Sequence, residues 1–122
     1  MSQIFVNAGP LYALNSLHDQ HHYRSQALLN SIKKQRLEMV TTDYVIDEAL
    51  TLLITSRKGG YHFSLNLMKH LFVKSKDGST IKIEWISQDR FRLAADVFRR
   101  YNRDKTLSFT DCTSFVVMKE LK

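Results

Sequence analysis

Two carboxylates, Glu48 and Asp111, each stand where a helix is expected to leave the end of an apolar strand. A third position of the same kind follows Ile4-Phe5-Val6 and carries Asn7. In an open parallel sheet the loops diverge at the carboxyl ends of the strands, and ligands collect there. Three carboxylates meeting at such a place would form an all-oxygen site for Mg²⁺ or Mn²⁺. A cation held there polarises a phosphate, acidifies a water and neutralises a leaving oxygen, which is the chemistry of phosphodiester cleavage. Asn7 keeps a carbonyl oxygen but lacks the negative charge, and its NH₂ group repels a cation. The sequence therefore predicts a weakened site.

Each of these residues also has a plain role open to it. Ser108-Phe109-Thr110-Asp111 matches a helix-start signal, so Asp111 can serve the helix N-terminus alone. Glu48 can be a solvated helix residue, and Asn7 can turn the chain before Gly9-Pro10. His18, His21 and His22 suggest zinc, but no acid–His signature or nearby cysteine accompanies them, and an exposed helix end is the better reading. Cys112 follows an acid and falls on the expected inward face with Phe115 and Val116, which favours a buried thiol over a nucleophile. Trp85 and Tyr61-His62-Phe63 read as core or dimer surface rather than as platforms for bases.

The chain has 122 residues, enough for one domain spanning 1–122 and too few for a second independent core. Charged residues make up 25% and hydrophobic ones 43%, which is the balance of a globular protein rather than a disordered one. No apolar run approaches the ~20 residues of a membrane span, and no secretory signal is evident at the N-terminus. The lone Cys112 excludes an intramolecular disulfide, and the cytoplasm is the expected compartment. A formal charge of +6 gives a surface able to hold a polyanion or an acidic protein partner.

The elements that must position the acids can be read from periodicity. Strands are expected at Gln3–Val6, at Leu37–Thr41 and at residues 80–86. Pro10 is expected at the first position of a helix, Asp19 at the cap of another, and Thr42 or Asp43 at the cap of a third. The third helix has an apolar stripe of Ile46, Ala49, Leu50, Leu53 and Ile54, and Gly59-Gly60 ends it. Further helices are expected at Tyr61–Val73, at Asp89–Tyr101 with Phe91, Ala94, Ala95 and Phe98 inward, and from Ser108 onward. A polar turn is expected over residues 74–79. Strands alternating with helices imply parallel pairing and a layered α/β fold.

The segments Ile4-Phe5-Val6-Asn7-Ala8-Gly9, Thr41-Thr42-Asp43-Tyr44-Val45-Ile46-Asp47-Glu48 and Leu107-Ser108-Phe109-Thr110-Asp111-Cys112 together resemble the PIN-domain ribonucleases, and within them the VapC-like toxins. The resemblance implies a three-layer α/β/α fold with a parallel sheet and metal-dependent hydrolysis of RNA with Mg²⁺ or Mn²⁺. It also implies a homodimer and an antitoxin partner. Glu48 and Asp111 match family acids, and Asn7 stands where the family has Asp. The family continues through a further strand and a fourth acid, so the fold is expected to lack the last edge strand, with Asp104 as a partial substitute ligand. An alternative reading is a non-catalytic PIN-like protein that binds RNA or an antitoxin. A helical nucleic-acid binder unrelated to nucleases is a third, opposed by the strand–helix alternation.

Overall fold

A computed structural model describes residues 2–56, 58–73 and 80–121. The elements in order are β1 (Gln3–Phe5), α1 (Ala8–Asn15), α2 (His22–Lys34), β2 (Glu38–Thr42), α3 (Asp43–Ile54), α4 (Gly60–Phe72), β3 (Ile81–Glu84), α5 (Gln88–Tyr101) and α6 (Phe109–Leu121). The strands form one parallel sheet in the order β1-β2-β3, with Ile4 opposite Met39 and Val40 opposite Lys82. β2 lies between the other two, and Met39, Val40, Thr41 and Thr42 are all buried. Successive strand residues point to opposite faces, so this run requires cover on both sides of the sheet. The expected three-layer arrangement follows from that.

Two apolar clusters fill the interior. The larger joins Leu11, Ile32, Val45, Ala49, Leu53, Leu67 and Leu71 to the sheet residues Val6 and Met39. The smaller lies between α5 and α6 around Ala94, Cys112 and Val116. The buried stripe of α3 is thus Val45, Ala49 and Leu53 at four-residue spacing, the geometry of one helix face. Val45 was not in the expected stripe, and Ile54, which was, is 53% exposed. The sequence run is apolar on too many positions for periodicity alone to select the face.

Several local expectations need correction. α1 begins at Ala8, capped by Asn7, so Pro10 occupies the third helical position rather than the first. The fit is still good, because the first four N–H groups of a helix have no internal partner. Asp19 does not cap α2; His21 occupies the cap position without a side-chain capping bond, and the Asp19 carboxylate accepts the His21 N–H at 2.9 Å within the preceding turn. Strand β3 is shorter than the expected 80–86, and Trp85 is 64% exposed. Trp85 and Tyr61, at 63% exposure, are therefore not core. Phe91 and Phe98 are only partly covered, their rings gathering on Phe109 with centroids at 4.8 and 6.1 Å. Phe115, expected to face inward, is 46% exposed. The turn expected over residues 74–79 lies outside the described residues.

The α3–α4 connection depends on two glycines for different reasons. Gly59 has φ of +71°, in the left-handed region where a Cβ is penalised. Gly60 lets α4 approach the last turn of α3 closely. A Cβ there would collide with the Leu53 carbonyl oxygen and lie 3.0 Å from that of Ile54. Gly60→Ala is expected to destabilise the protein by about 1–3 kcal/mol, the usual cost of forcing atoms into a packed contact. Gly9→Ala meets nothing within 4 Å and should be neutral or slightly stabilising. Urea melts of the two variants side by side check this; equal midpoints would show that α4 shifts freely away from α3.

Candidate active site

Two of the candidate residues are placed by helices that leave the sheet, α1 after β1 and α3 after β2. Asp111, expected at the end of a strand, instead lies on α6, which follows α5 through a loop. At the end of β1 the Val6 N–H donates to the Val40 carbonyl at 2.8 Å, and the Thr41 hydroxyl donates to the Val6 carbonyl at 2.9 Å. These bonds hold the exits of β1 and β2 side by side. Asn7 follows at once as the N-cap of α1, its Oδ1 accepting from the Ala8 N–H at 2.9 Å. Thr42 caps α3, accepting from the Val45 N–H at 3.1 Å, and its buried hydroxyl fixes where that helix begins. Glu48 then stands in the second turn of α3, half-buried, with no hydrogen bond or ion pair to another described residue.

Asp111 stands in the first turn of α6. The Ser108 hydroxyl accepts from the Asp111 N–H at 3.0 Å, and the Ser108 N–H donates to Asp111 Oδ2 at 3.3 Å. This reciprocal pair is a capping box, so the helix-start role weighed for Asp111 is real. The bond to the carboxylate is long and uses one oxygen only; Oδ1 has no hydrogen-bond partner among the described residues. The start of α6 is tied to α3 by rings: Phe109 meets Tyr44, four residues before Glu48, at 6.2 Å between centroids. Since α1 and α6 both pack on α3, the helices bearing Asn7, Glu48 and Asp111 are neighbours.

As a candidate donor set, Asn7, Glu48 and Asp111 would offer two carboxylates and one amide oxygen, all hard oxygen ligands, which fit Mg²⁺ or Mn²⁺ in kind and fall short in charge. Among the described residues no three His, Cys, Asp or Glu side chains come together as a metal-binding group. Asp104 therefore does not supply a third carboxylate beside Glu48 and Asp111. The histidines are not a zinc site either. His22 is buried with Nδ1 2.8 Å from the Ala13 carbonyl, whereas His18 is exposed outside any helix. Cys112 is fully buried, and burial followed by the nearby Asp111 charge pushes its thiol pKa up, which disfavours the thiolate.

Two supporting residues escaped the sequence reading. Asp43 accepts the Ile86 N–H at 2.9 Å and so ties the end of β3 to the start of α3. Its place directly after the Thr42 cap was visible, but nothing local announces a partner 43 positions away. Arg90 binds the Trp85 carbonyl at 2.9 Å, Glu84 at 3.0 Å and Glu120 at 2.8 Å, joining β3, α5 and the last turn of α6. Hydrogen bonding to Lys82 first, then to Arg90, holds the Glu84 carboxyl below the usual carboxylate range, against a burial effect that raises it. Lys82 is 51% exposed and Arg90 18%, so solvent screening leaves most of the stabilisation with Arg90.

A carboxyl whose folded pKa is depressed stabilises fully above its unfolded value, and that stability is lost as pH falls through the folded value. Glu84→Gln is accordingly expected to cost about 1 kcal/mol at neutral pH. The difference from the unchanged chain should shrink as pH is lowered through the carboxylate range. Thermal melts from pH 7 to pH 3 test it, and a gap that stays constant with pH would contradict the assignment.

No protein-family model matches the chain. Over 118 residues it is 29% identical to a VapC ribonuclease of Archaeoglobus fulgidus, covering 96% of this chain and 70% of that protein. Its fold superposes on the crystal structure of Mycobacterium tuberculosis VapC20, a sarcin–ricin-loop-cleaving toxin, with a TM-score of 0.80 and 25% identity. That match covers 98% of this chain and 83% of the other. The chain is similar in sequence to a VapC ribonuclease and in fold to a VapC toxin. The likeness runs through nearly the whole chain. Among the described residues no helix is long and apolar enough to cross a membrane.

Proposed function

We propose that the chain is a metal-dependent endoribonuclease of the VapC toxin type, with its activity reduced by Asn7. The observation that carries this reading is Glu48, a half-buried carboxylate with no partner among the described residues, on the helix that packs against those carrying Asn7 and Asp111. An acid left without a counter-charge in a chain with a formal charge of +6 is suited to a cation. Glu48 and Asp111 would hold Mg²⁺ or Mn²⁺, and Asn7 would offer its amide oxygen as the impaired third ligand. A bound cation supplies positive charge that polarises the scissile phosphate and acidifies a water. The basic surface holds the RNA backbone.

RNA is the substrate class, as the names of both relatives state for those proteins. A cognate antitoxin and a homodimer are the partners proposed with it, and the cytoplasm is the compartment.

A second reading, a PIN-like binder that does not cut, is favoured by one specific feature. The Asn7 Oδ1 is already engaged by the Ala8 N–H, and Asp111 is engaged in its capping box. The two readings part on one experiment. A binder holds RNA independently of Mg²⁺ and keeps its affinity in Glu48→Ala, with no cleavage in any form. A nuclease shows Mg²⁺- or Mn²⁺-dependent cleavage once Asn7 is returned to Asp, and loses it with Glu48.

A further inference from the structure

Between α5 and α6 runs an open groove of about 850 Å³, lined on its apolar side by Leu93, Val97, Tyr101, Phe115 and Val116. Tyr101 is 50% exposed and Phe115 46%, so two aromatic rings show much of their surface there. The rim carries Arg100, Lys105 and Lys119 against Asp96 and Glu120. Both acids are already neutralised, Asp96 by Arg99 at 2.5 Å and Glu120 by Arg90 at 2.8 Å. The three cations make no ion pair with another described residue. The rim is therefore positive in effect although its formal charges nearly balance.

The groove is joined to the candidate active site by helix geometry. Asp111, Phe115 and Lys119 follow one another at four-residue spacing, so they stand along one face of α6, about one turn apart. The loop bearing Lys105 is fixed by Asn102, whose side chain donates to the Leu107 carbonyl at 3.1 Å and accepts the Leu107 N–H at 2.6 Å. That bracket holds the loop leading into Ser108 and Asp111 in one conformation.

Half-exposed aromatic rings beside unpaired cations are what a single strand of nucleic acid needs: faces for bases to stack on and charges for its phosphates. A protein partner could also bury the rings, but it would have to bring acidic groups to meet the three cations, whereas every nucleotide of a single strand carries a phosphate. We infer that the α5–α6 groove binds an unpaired segment of RNA, stacking a base on Phe115 and Tyr101 with its phosphates on Arg100, Lys105 and Lys119. This rests on the ribonuclease reading and adds that the substrate must offer unpaired nucleotides next to the cleaved bond. A base-paired stem does not expose a base face to the rings.

The test is equilibrium binding of a fluorescein-labelled 12-nucleotide single-stranded RNA and of the blunt duplex of the same sequence, in EDTA. Phe115→Ala should weaken single-strand binding about tenfold and leave the duplex nearly unchanged, whereas Phe115→Tyr, which keeps a ring, should bind as the unchanged chain does. Lys119→Gln should lower the slope of log affinity against log salt by about 0.7, one phosphate contact on a single strand. Lys58→Gln, in the turn between α3 and α4, should do neither. Equal single-strand affinity for Phe115→Ala and the unchanged chain overturns the inference. So does a Phe115→Ala form that turns a dimer into a monomer while binding RNA normally, which would make the occupant a second copy. Because binding is read without metal, the result is separate from the nuclease reading. Groove-dependent binding with no cleavage by Asn7→Asp would remove the enzyme and keep the groove.

Discussion

Asn7→Asp should raise the affinity for Mn²⁺ at least tenfold and the rate of metal-dependent RNA cleavage by about two orders of magnitude or more, the scale seen when one electrostatic contact at a reacting centre is restored. The exchange keeps the size of the side chain and the carbonyl-type oxygen that caps α1, so helix and fold should be unaffected. What changes is charge. In the proposed site Asn leaves two carboxylates, a net −2 facing a +2 ion; Asp would add a third negative charge and remove the two amide N–H donors. Isothermal titration with Mn²⁺ reads the first effect directly. Equal affinities in the two forms would mean that residue 7 faces away from any ion, and its capping bond to Ala8 would be its whole role.

Leu53→Ala is expected to be the most damaging single truncation for stability, costing about 2–5 kcal/mol. Leu53 is fully buried in the main cluster, on the α3 face that also carries Val45 and Ala49. Its carbonyl oxygen meets Gly60 on the other side, so the turn into α4 limits how far the backbone can collapse into the cavity. With a urea m-value of about 1–3 kcal/mol/M for a domain of this size, the unfolding midpoint should fall by about 1 M or more. Leu52→Ala, at a position 45% exposed, should move it little. A shift for Leu53→Ala no larger than for Leu52→Ala would show that α3 does not anchor the core. The same helix places Glu48, so loosening it should also lower any activity restored by Asn7→Asp.

Much of this architecture was legible before any coordinates, and the reasons are local. Gly59-Gly60 marks the α3–α4 break, Thr42 announces the α3 cap, and Ser108 with Asp111 spells the start of α6. Each signal acts within four residues of itself, where sequence spacing equals spatial spacing. The faces of helices were less legible. Phe115 reads as core from its apolar character and its neighbours Cys112 and Val116, yet it lines the open groove between α5 and α6. Phe91 and Phe98 likewise share one partner, Phe109, in place of a full core. Tertiary partners were not legible at all: Asp43 with Ile86, and Arg90 with Glu84 and Glu120, depend on which strand lies next to which. The candidate site falls between these cases. Asn7 follows a strand end and Glu48 lies on the helix that begins where β2 ends, as local signals indicate. Asp111 instead starts a helix that follows another helix, and the packing of α6 on α3 depends on contacts such as Tyr44–Phe109.

The proposed ribonuclease activity requires Glu48 and Asp111 to form a cation site for cutting RNA, with Asn7 limiting it. The most direct measurement is cleavage of a pooled structured RNA in Mg²⁺ or Mn²⁺ by three forms: the chain itself, Asn7→Asp, and Asn7→Asp with Glu48→Ala. The account predicts cutting by Asn7→Asp alone, abolished by EDTA and by the added Glu48→Ala. Cutting by all three at one rate, or by none while the Asn7→Asp form binds Mn²⁺ no better than the chain itself, would contradict it.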